Sequence, residues 1–371
     1  MTSAKATGRI RVAVAGTGAV ARQSHLPALQ ELRDEVETVA AFDVDERAVR
    51  AFCGAGGVPH AYTDLDRMLT EQRPDLVVVC TPPAVHREQT TAALRAGAWV
   101  WCEKPPARSL SEYDAMQAAE GREGPYAAIV FQHRFGSGAD HVRGLLARGD
   151  LGRPLAAHCQ TTWYRDAAYY APPGRGTWAA EGGGTTMGHG IHQIDLLLEL
   201  LGPWSEVLAM TARLSRDIET EDVSTALVRF RSGALATVLN SAVSPDQVSR
   251  IRIDCERATV ELSHLYQHAN KDWRITPAPG VAPGVLAAWR DMGADVPSSH
   301  LAQLRSLVAD LRAGRRPRAS GADGRTSLEL VSALYKSART GAPVAAGEIG
   351  PGDPFYGAAG AGPLPVEGTR A

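Results

Sequence analysis

This chain of 371 residues is poor in lysine and contains neither a cysteine motif nor a long apolar run. Lysine occurs only at positions 5, 104, 271 and 336, so a lysine in a site-like context is more informative than usual. The five cysteines include no CxxC pair, which argues against a zinc site and a disulfide framework and favours reduced thiols in a cytoplasmic protein. No apolar run approaches the roughly 18 to 20 residues that span a bilayer, so we expect no membrane partner.

The charges of the chain nearly cancel. Lysine and arginine together number 39 against 41 acidic residues, a net charge of -2, so nothing favours binding to nucleic acid. The hydrophobic share of 44% and the charged share of 22% are typical of a globular protein, and the length fits two domains. Arg9 and Arg11, ahead of the apolar stretch 12–20, imitate a signal peptide, but the glycines and the alternation there fit a first β-strand better.

The first 130 residues alternate short apolar runs with segments of helical spacing. This alternation predicts a doubly wound parallel α/β sheet, a Rossmann domain, over residues 1–130. The predicted strands are 10–15, 38–42, 76–80, 98–101 and 127–131, and the predicted helices are 20–32, 46–53, 85–96 and 111–120.

The pattern then changes to alternating polar and apolar residues. It predicts an α+β domain over 131–345 with a large, mostly antiparallel open sheet. The predicted strands are 154–164, 207–214, 223–230, 234–242, 250–254 and 259–262, and the predicted late helices are 300–313 and 326–340. Residues 346–371 are rich in glycine and proline without periodicity, and we expect a loosely ordered tail there.

A dinucleotide fingerprint of the form G-x-G-x-x-A follows the first predicted strand. In it, Gly16 permits a tight turn, Gly18 lets backbone approach a pyrophosphate, and the adjoining Thr17, Ala19 and Val20 complete the cradle. Asp43 lies 25 residues past Gly18, at the end of the second strand. Such a carboxylate accepts hydrogen bonds from a ribose and repels a 2′-phosphate, which favours NAD over NADP. The alternative is that Asp43 only caps the next helix.

Two further segments end strands on the rim of the sheet where ligands of open α/β sheets bind. The first carries Thr81, Pro82 and His86, and the second carries Glu103 and Lys104. We assign all five to the cofactor site. The Lys104 ammonium could also stabilise the alkoxide that forms as hydride leaves a carbinol, the alternative being a surface lysine beside a turn.

These motifs resemble the Gfo/Idh/MocA family, which includes glucose–fructose oxidoreductase and inositol dehydrogenase. The resemblance covers roughly residues 8 to 345 and is carried by the fingerprint, the TPPxxH run 81–86, the Glu-Lys-Pro triplet 103–105 and the GGG…HQID stretch 182–195. It implies that Lys104 lies beside the nicotinamide and that His192 is the general acid/base. Many members carry Asp four positions before that histidine, where this chain has Gly188, so His189 or the substrate would have to take its role.

The pattern around His192 is consistent with such a role. Apolar residues at 191, 194, 197, 198 and 201 form one helical stripe, which predicts His192 off the core face. The alternative for His189, His192 and Asp195 is a metal site, but no Cys or Glu stands at ligand spacing, so we expect no metal.

Five aromatic residues crowd the segment 163–178, together with arginines. Flat rings and guanidinium groups suit a sugar-like substrate, while the alternative is an aromatic interdomain core. The run also resembles a branch of the family with sugar and nucleotide-sugar dehydrogenases. Gln132, His133 and Arg134 are further candidates for the cleft wall. The substrate-binding candidates are Trp163, Arg165, Tyr170, Trp178, His189 and Asp195.

We therefore expect an NAD-dependent oxidoreductase, with NADP less favoured, acting on a secondary alcohol of a sugar, cyclitol or sugar derivative. Lys104 and His192 would be its catalytic residues. A non-catalytic NAD-binding sensor and an NAD-assisted glycoside hydrolase with transient oxidation are the alternatives. By analogy with the family, the chain would form a homodimer or homotetramer.

Overall fold

The computed structural model describes residues 8–360, which divide into two compact units. Within that range the first unit comprises 8–107, 112–132 and 300–325, and the second comprises 108–111, 133–299 and 326–360. No helix in this part of the chain has both the length and the apolar character needed to cross a bilayer.

The first unit contains a six-stranded sheet in which all strands are parallel. The strand order is β3-β2-β1-β4-β5-β6, the order expected of a dinucleotide-binding fold. β3 escaped the sequence prediction because it has only three residues at the exposed edge of the sheet. The strands are β1 Ile10–Ala15, β2 Val36–Phe42, β3 His60–Tyr62, β4 Leu76–Val79, β5 Trp99–Cys102 and β6 Ala127–Ile129.

Helices follow the strands of this sheet. The predicted helix 20–32 begins as a π-helical turn, Ala21–His25, and α2 is capped by Asp45, whose side chain accepts hydrogen bonds from the backbone of Arg47 and Ala48. Asp43 is therefore not the cap of that helix. The helices are α1 Leu26–Glu31, α2 Glu46–Gly56, α3 Leu65–Gln72, α4 His86–Arg95 and α5 Leu110–Ala118.

The second unit contains an eight-stranded sheet of order β13-β12-β11-β7-β10-β9-β8-β14. Only β10 and β7 pair in parallel; the other pairs are antiparallel. The strands are β7 Pro154–Tyr164, β8 Trp204–Ala212, β9 Val223–Phe230, β10 Leu235–Ser241, β11 Val243–Cys255, β12 Ala258–His264, β13 Trp273–Pro277 and β14 Val344–Ala345. The later helices are α6 Ser137–Ala147, α7 Ala167–Tyr170, α8 Trp178–Glu181, α9 Ile191–Leu201, α10 Pro283–Arg290, α11 His300–Ala313, α12 Ala322–Thr340 and α13 Pro354–Gly357.

The late segment 300–325 belongs to the first unit, whereas the sequence placed it in a second domain over 131–345. The reason is hydrophobic burial. Leu304, Leu307 and Val308 of α11 lie in the same core cluster as the β1 residues Val12 and Val14. No local pattern in a helix indicates which of two distant sheets its apolar face will cover.

The start of the expected loose tail is packed in the structure. Ile349 and Phe355 are buried, and Lys336 of α12 forms ion pairs with Glu348 and Asp353. These contacts hold residues 346–360, while 361–371 lie outside the described residues.

Candidate active site

The glycine turn after β1 has the shape that a pyrophosphate cradle requires. Gly16 has φ +89°, and a Cβ there would lie 2.7 Å from the backbone nitrogen of Thr81, so only glycine fits this close approach to the end of β4. A Cβ at Gly18 would meet no heavy atom within 4 Å, and Gly18 and Ala19 are exposed. The turn is thus packed tightly against β4 at Gly16 and exposed at Gly18 and Ala19. Backbone N–H groups at the start of a helix, as there, suit phosphate oxygens.

Asp43 supports this turn from the end of β2. Its Oδ2 accepts hydrogen bonds of 2.8 Å from both the N–H and the hydroxyl of Thr17, and its Oδ1 accepts one of 3.1 Å from Asp45. Burial alone would raise the pKa of Asp43, but these donors outweigh it, and the pKa is lowered. The Thr17 side chain is buried against the carboxylate, which remains partly exposed and keeps lone pairs for a ribose hydroxyl.

His86 joins the two rim segments. Its Nδ1 lies 2.9 Å from the carbonyl oxygen of Pro105, and its Nε2 lies 2.7 Å from that of Thr81. Burial lowers the pKa of His86 more than these carbonyls raise it. The imidazole is fully buried, so it connects the loops from within, while Pro82 is exposed at the rim.

Glu103 is also buried, and it forms the centre of a group that we call the clamp: Glu103 with His25 and His300. Glu103 Oε1 lies 2.8 Å from His25 Nε2 and 3.4 Å from His300 Nε2, and Oε2 accepts from the backbone N–H of Lys104 at 3.1 Å. Burial opposes ionisation, but the imidazole donors hold the pKa of Glu103 well below its usual value. The clamp therefore ties the turn containing His25 to the backbone of Lys104.

The clamp is also the one group of His, Cys, Asp and Glu within residues 8–360 whose ligand atoms converge closely enough to hold a metal, all lying within 4.8 Å of one another. The alternative raised from the sequence, His189 with His192 and Asp195, does not converge in this way.

His192 lies in the second unit, on α9 just after a π-helical turn, Thr186–Gly190. Its ring centroid is 5.1 Å from that of His133 and 6.2 Å from that of Tyr266, and His133 lies 4.4 Å from His268. Burial lowers the pKa of His268 to about 4, so this neighbour is neutral near pH 7. The predicted off-core position of His192 is wrong: α9 is buried nearly all round, and His192 is 3% exposed.

Tyr266 and His268 were missed in the sequence analysis. They lie between β12 and β13 in a loop that joins them to His192 only through tertiary contacts. The density of ring side chains at 264–268 was the one local signal.

Three of the substrate-binding candidates meet in the second unit. The Nε of Arg165 donates to His189 Nε2 at 3.3 Å, and its Cζ lies 4.8 Å from the ring centroid of Trp163. The Trp163 ring in turn lies 4.9 Å from that of His189. Tyr169 joins them, with its hydroxyl 3.2 Å from His189 Nε2, and Tyr170 packs edge-on against Tyr169 at 5.0 Å.

The remaining candidates are engaged elsewhere in the second unit. Asp195 is fully buried in an ion pair with Arg134, whose Nε donates to Oδ2 at 2.7 Å, and it also accepts from Ser327 at 2.7 Å. Burial raises the pKa of Asp195 in spite of Arg134. These contacts give Asp195 and Arg134 a structural role. Trp178 donates through Nε1 to the carbonyl of Glu219 at 3.1 Å.

Comparison with known proteins agrees with this arrangement. Residues 10–131 match a family model described as an oxidoreductase family with an NAD-binding Rossmann fold, and residues 140–261 match the GFO/IDH/MocA C-terminal domain. D-Apiose dehydrogenase of Paraburkholderia graminis is 30% identical over 90% of this chain and 88% of its own. The chain belongs to the Gfo/Idh/MocA family.

Other members of the Gfo/Idh/MocA family extend the likeness over nearly the whole chain. D-Glucoside 3-dehydrogenase of Escherichia coli is 27% identical, covering 92% of this chain and 99% of its own. The WlbA dehydrogenase of Bordetella pertussis, solved with NADH and UDP-GlcNAcA, has a TM-score of 0.82 at 28% identity, covering 91% of this chain and 98% of its own. The expected family, fold class, NAD cofactor and oxidoreductase class are thereby confirmed.

Proposed function

We propose that this oxidoreductase transfers hydride between a secondary alcohol of a sugar, cyclitol or sugar derivative and the nicotinamide of NAD. The observation that carries the proposal is the environment of His192, a cluster of imidazole rings joined through Tyr266 to the surface formed by Trp163 and Arg165. Aromatic faces beside hydrogen-bonding groups suit a hydroxylated ring. The names of the relatives, dehydrogenases of apiose and of glucosides, support the same substrate class.

The first unit would hold the cofactor. The backbone at Gly16–Val20 would receive the pyrophosphate, Asp43 the ribose, and the rim at Thr81, Pro82 and Lys104 the nicotinamide. When bound, NAD accepts a hydride in the oxidising direction and returns it in the reducing direction. Because Asp43 is ionised and held beside the turn, a 2′-phosphate would be repelled, which supports NAD over NADP.

We propose His192 and Lys104 as the catalytic residues, the roles that the family resemblance implies for them. In oxidation, the imidazole of His192 takes the hydroxyl proton while the carbinol carbon loses hydride and becomes a carbonyl. The ammonium of Lys104 is the candidate group for stabilising the negative charge that develops as an alcohol loses its proton. His86, Glu103 and His25 would hold the Lys104 segment in place without touching substrate, because all three are buried and bonded to one another or to backbone.

The direct test is absorbance at the NADH band with a panel of neutral and acidic sugars and cyclitols, with NAD and NADP in parallel. Turnover with NAD supports the proposal. Cofactor binding without redox would assign the chain to the sensor alternative. Tightly held cofactor with sugar cleavage and no net NADH would assign it to the hydrolase alternative.

We also propose that the chain forms a homo-oligomer through the outer face of its second sheet. This face carries apolar side chains that water would otherwise contact, and Met210 and Leu227 are 70% and 59% exposed. Leu208, Leu235 and Leu239 extend the same surface. Light scattering of Leu227→Glu against the native chain tests this proposed oligomer, since one charge should dissociate the assembly.

A cytoplasmic location is supported by five unbridged cysteines, four of them buried, and cell fractionation would test it.

A further inference from the structure

Two arginines of the second unit flank Tyr169 without an acidic partner. Arg165 and Arg175 place their Cζ atoms 5.1 and 4.4 Å from its ring centroid, and both are half-buried. The guanidinium of Arg165 donates only to His189 Nε2 at 3.3 Å and to the backbone oxygen of Tyr164 at 3.0 Å. Neither guanidinium forms an ion pair with a described carboxylate, although the same unit neutralises its buried Arg134 with two acidic side chains.

His189, the side chain to which the Arg165 guanidinium donates, is an imidazole and supplies no carboxylate to it. Its Nε2 lies 3.3 Å from the Nε of Arg165 and 3.2 Å from the hydroxyl of Tyr169, and its Nδ1 lies 3.5 Å from the hydroxyl of Thr185. Half-buried guanidinium groups lose much of their hydration, and an anionic ligand would restore the lost stabilisation.

The charged pair lies close to His192. Trp163, on which Arg165 stacks, has its ring centroid 6.3 Å from Tyr266, and Tyr266 lies 6.2 Å from His192. A shorter link runs through His189, which accepts from Arg165 at 3.3 Å and lies three residues before His192, about one helical turn away.

Gly188 directly precedes His189, to which Arg165 donates, and it adds no carboxylate beside that contact. It lies one helical turn before His192, at the position where the resemblance led us to expect a carboxylate. A Cβ there would meet no heavy atom within 4 Å among the described residues. The backbone has room for an acidic side chain and carries none, so the local charge stays positive.

We infer that the substrate carries an anionic oxygen group, a carboxylate or phosphate on the sugar, which Arg165 and Arg175 bind beside His192. The planar guanidinium donates two parallel hydrogen bonds to such a group, while Tyr169 and Trp163 pack against the sugar ring. The inference rests on the proposed function and specifies its substrate class.

The test compares kcat/KM for D-glucose, D-glucuronate and D-glucose 6-phosphate in the native enzyme and in Arg165→Met and Arg175→Met. We expect preference for one anionic sugar, and each substitution should lower kcat/KM for that sugar about 10- to 100-fold more than it lowers kcat/KM for glucose. Glucuronate carries a carboxylate and glucose 6-phosphate a phosphate, so the comparison of these two sugars shows which anionic group the enzyme prefers. Arg257→Met is the matched control, because Arg257 also stacks on an aromatic ring, that of Trp289 at 5.2 Å.

Gly188→Asp adds a negative charge to the same region, whereas the arginine variants each remove a positive charge. Its carboxylate should lower affinity for the anionic sugar at least about tenfold, whereas Gly188→Ala, which adds only a methyl group, should keep the preference. Equal losses on neutral and anionic sugars in Arg165→Met, or native preference for glucose, would overturn the inference.

Binding is measured separately from turnover, by calorimetric titration of the NADH complex with glucuronate and with glucose 6-phosphate. If no sugar is oxidised yet an anionic sugar binds and Arg165→Met abolishes the binding, the proposed function fails and the anion site stands. If neutral sugars are oxidised and neither anion binds, the function stands and the anion site fails.

Discussion

Replacing Glu103 with glutamine removes the charge at the centre of the clamp and keeps its shape. The native carboxylate accepts from His25, from His300 and from the backbone of Lys104, so all three neighbours are donors. A glutamine offers one acceptor oxygen and one NH2 group. If the amide oxygen takes the place of Oε1, the NH2 group faces the N–H of Lys104; if the NH2 group takes that place, His25 and His300 must change tautomer to accept from it.

The size of the effect follows from these contacts. A hydrogen bond to a charged group contributes about 1.5–3 kcal/mol, and an unsatisfied buried donor costs about 1–3 kcal/mol. We expect Glu103→Gln to lose about 2–3 kcal/mol of unfolding free energy, which lowers Tm by roughly 5–10 °C for a domain of this size. Because the Lys104 backbone loses its acceptor, kcat should also fall about 10- to 100-fold, as small misplacements of catalytic groups do.

Differential scanning calorimetry and steady-state kinetics with NAD measure the two effects. Glu120→Gln is the matched control, since the Glu120 side chain is 5% exposed, pairs with Arg316 at 2.8 Å and accepts from the backbone of Ala127. The control should lose stability and keep kcat within about threefold. If both variants lose kcat equally, or if Glu103→Gln keeps native turnover, the clamp does not position Lys104. Zinc at one equivalent in the purified protein would instead make the clamp a metal centre.

Four further predictions concern the same two units. Lys104→Met should lower turnover about a hundredfold or more and leave NAD affinity nearly unchanged, checked by kinetics and fluorescence titration; full activity would dismiss its assigned role. His192→Asn should flatten the acidic limb of the pH–rate profile, and an unaltered limb would exclude it as the base. Asp43→Ser should raise the NADP-to-NAD ratio of kcat/KM at least about tenfold, while an unchanged ratio would mean that Asp43 only braces Thr17. The pKa of His268 is lowered to about 4, so its neutral form stabilises the fold above pH 6.5, and this contribution is lost as pH falls from 6.5 towards 4. His268→Phe should therefore flatten that part of the curve of Tm against pH. The same slope in both proteins would contradict the assignment of His268 as buried and neutral.

The sequence was enough to predict the features of this molecule that depend only on residues close together in the chain. The glycine turn could be predicted because the constraint on Gly16 is a backbone angle of +89° next to a strand end. The position of Lys104 after β5 could be predicted because an apolar run ends there. The two fold classes followed from the change in hydrophobic period near residue 131.

Hydrophobic periodicity did not predict the direction of a side chain where a helix is buried on nearly every face. α9 is enclosed on nearly every face, so its apolar stripe did not indicate where His192 points. Asp195 looked like a site residue because nothing in its own segment shows Arg134, which lies 61 positions earlier and neutralises it.

The sequence by itself determined that this chain has a dinucleotide turn, a lysine at a strand end and a histidine on a glycine-led helix. Only the tertiary structure decided which side chains contact those residues. Glu103 meets His300 across 197 positions, and His192 meets Tyr266 and His268 through a distant loop. Such pairings are selected by burial of apolar surface and satisfaction of buried polar groups over the whole unit, and they leave no periodic trace in either segment.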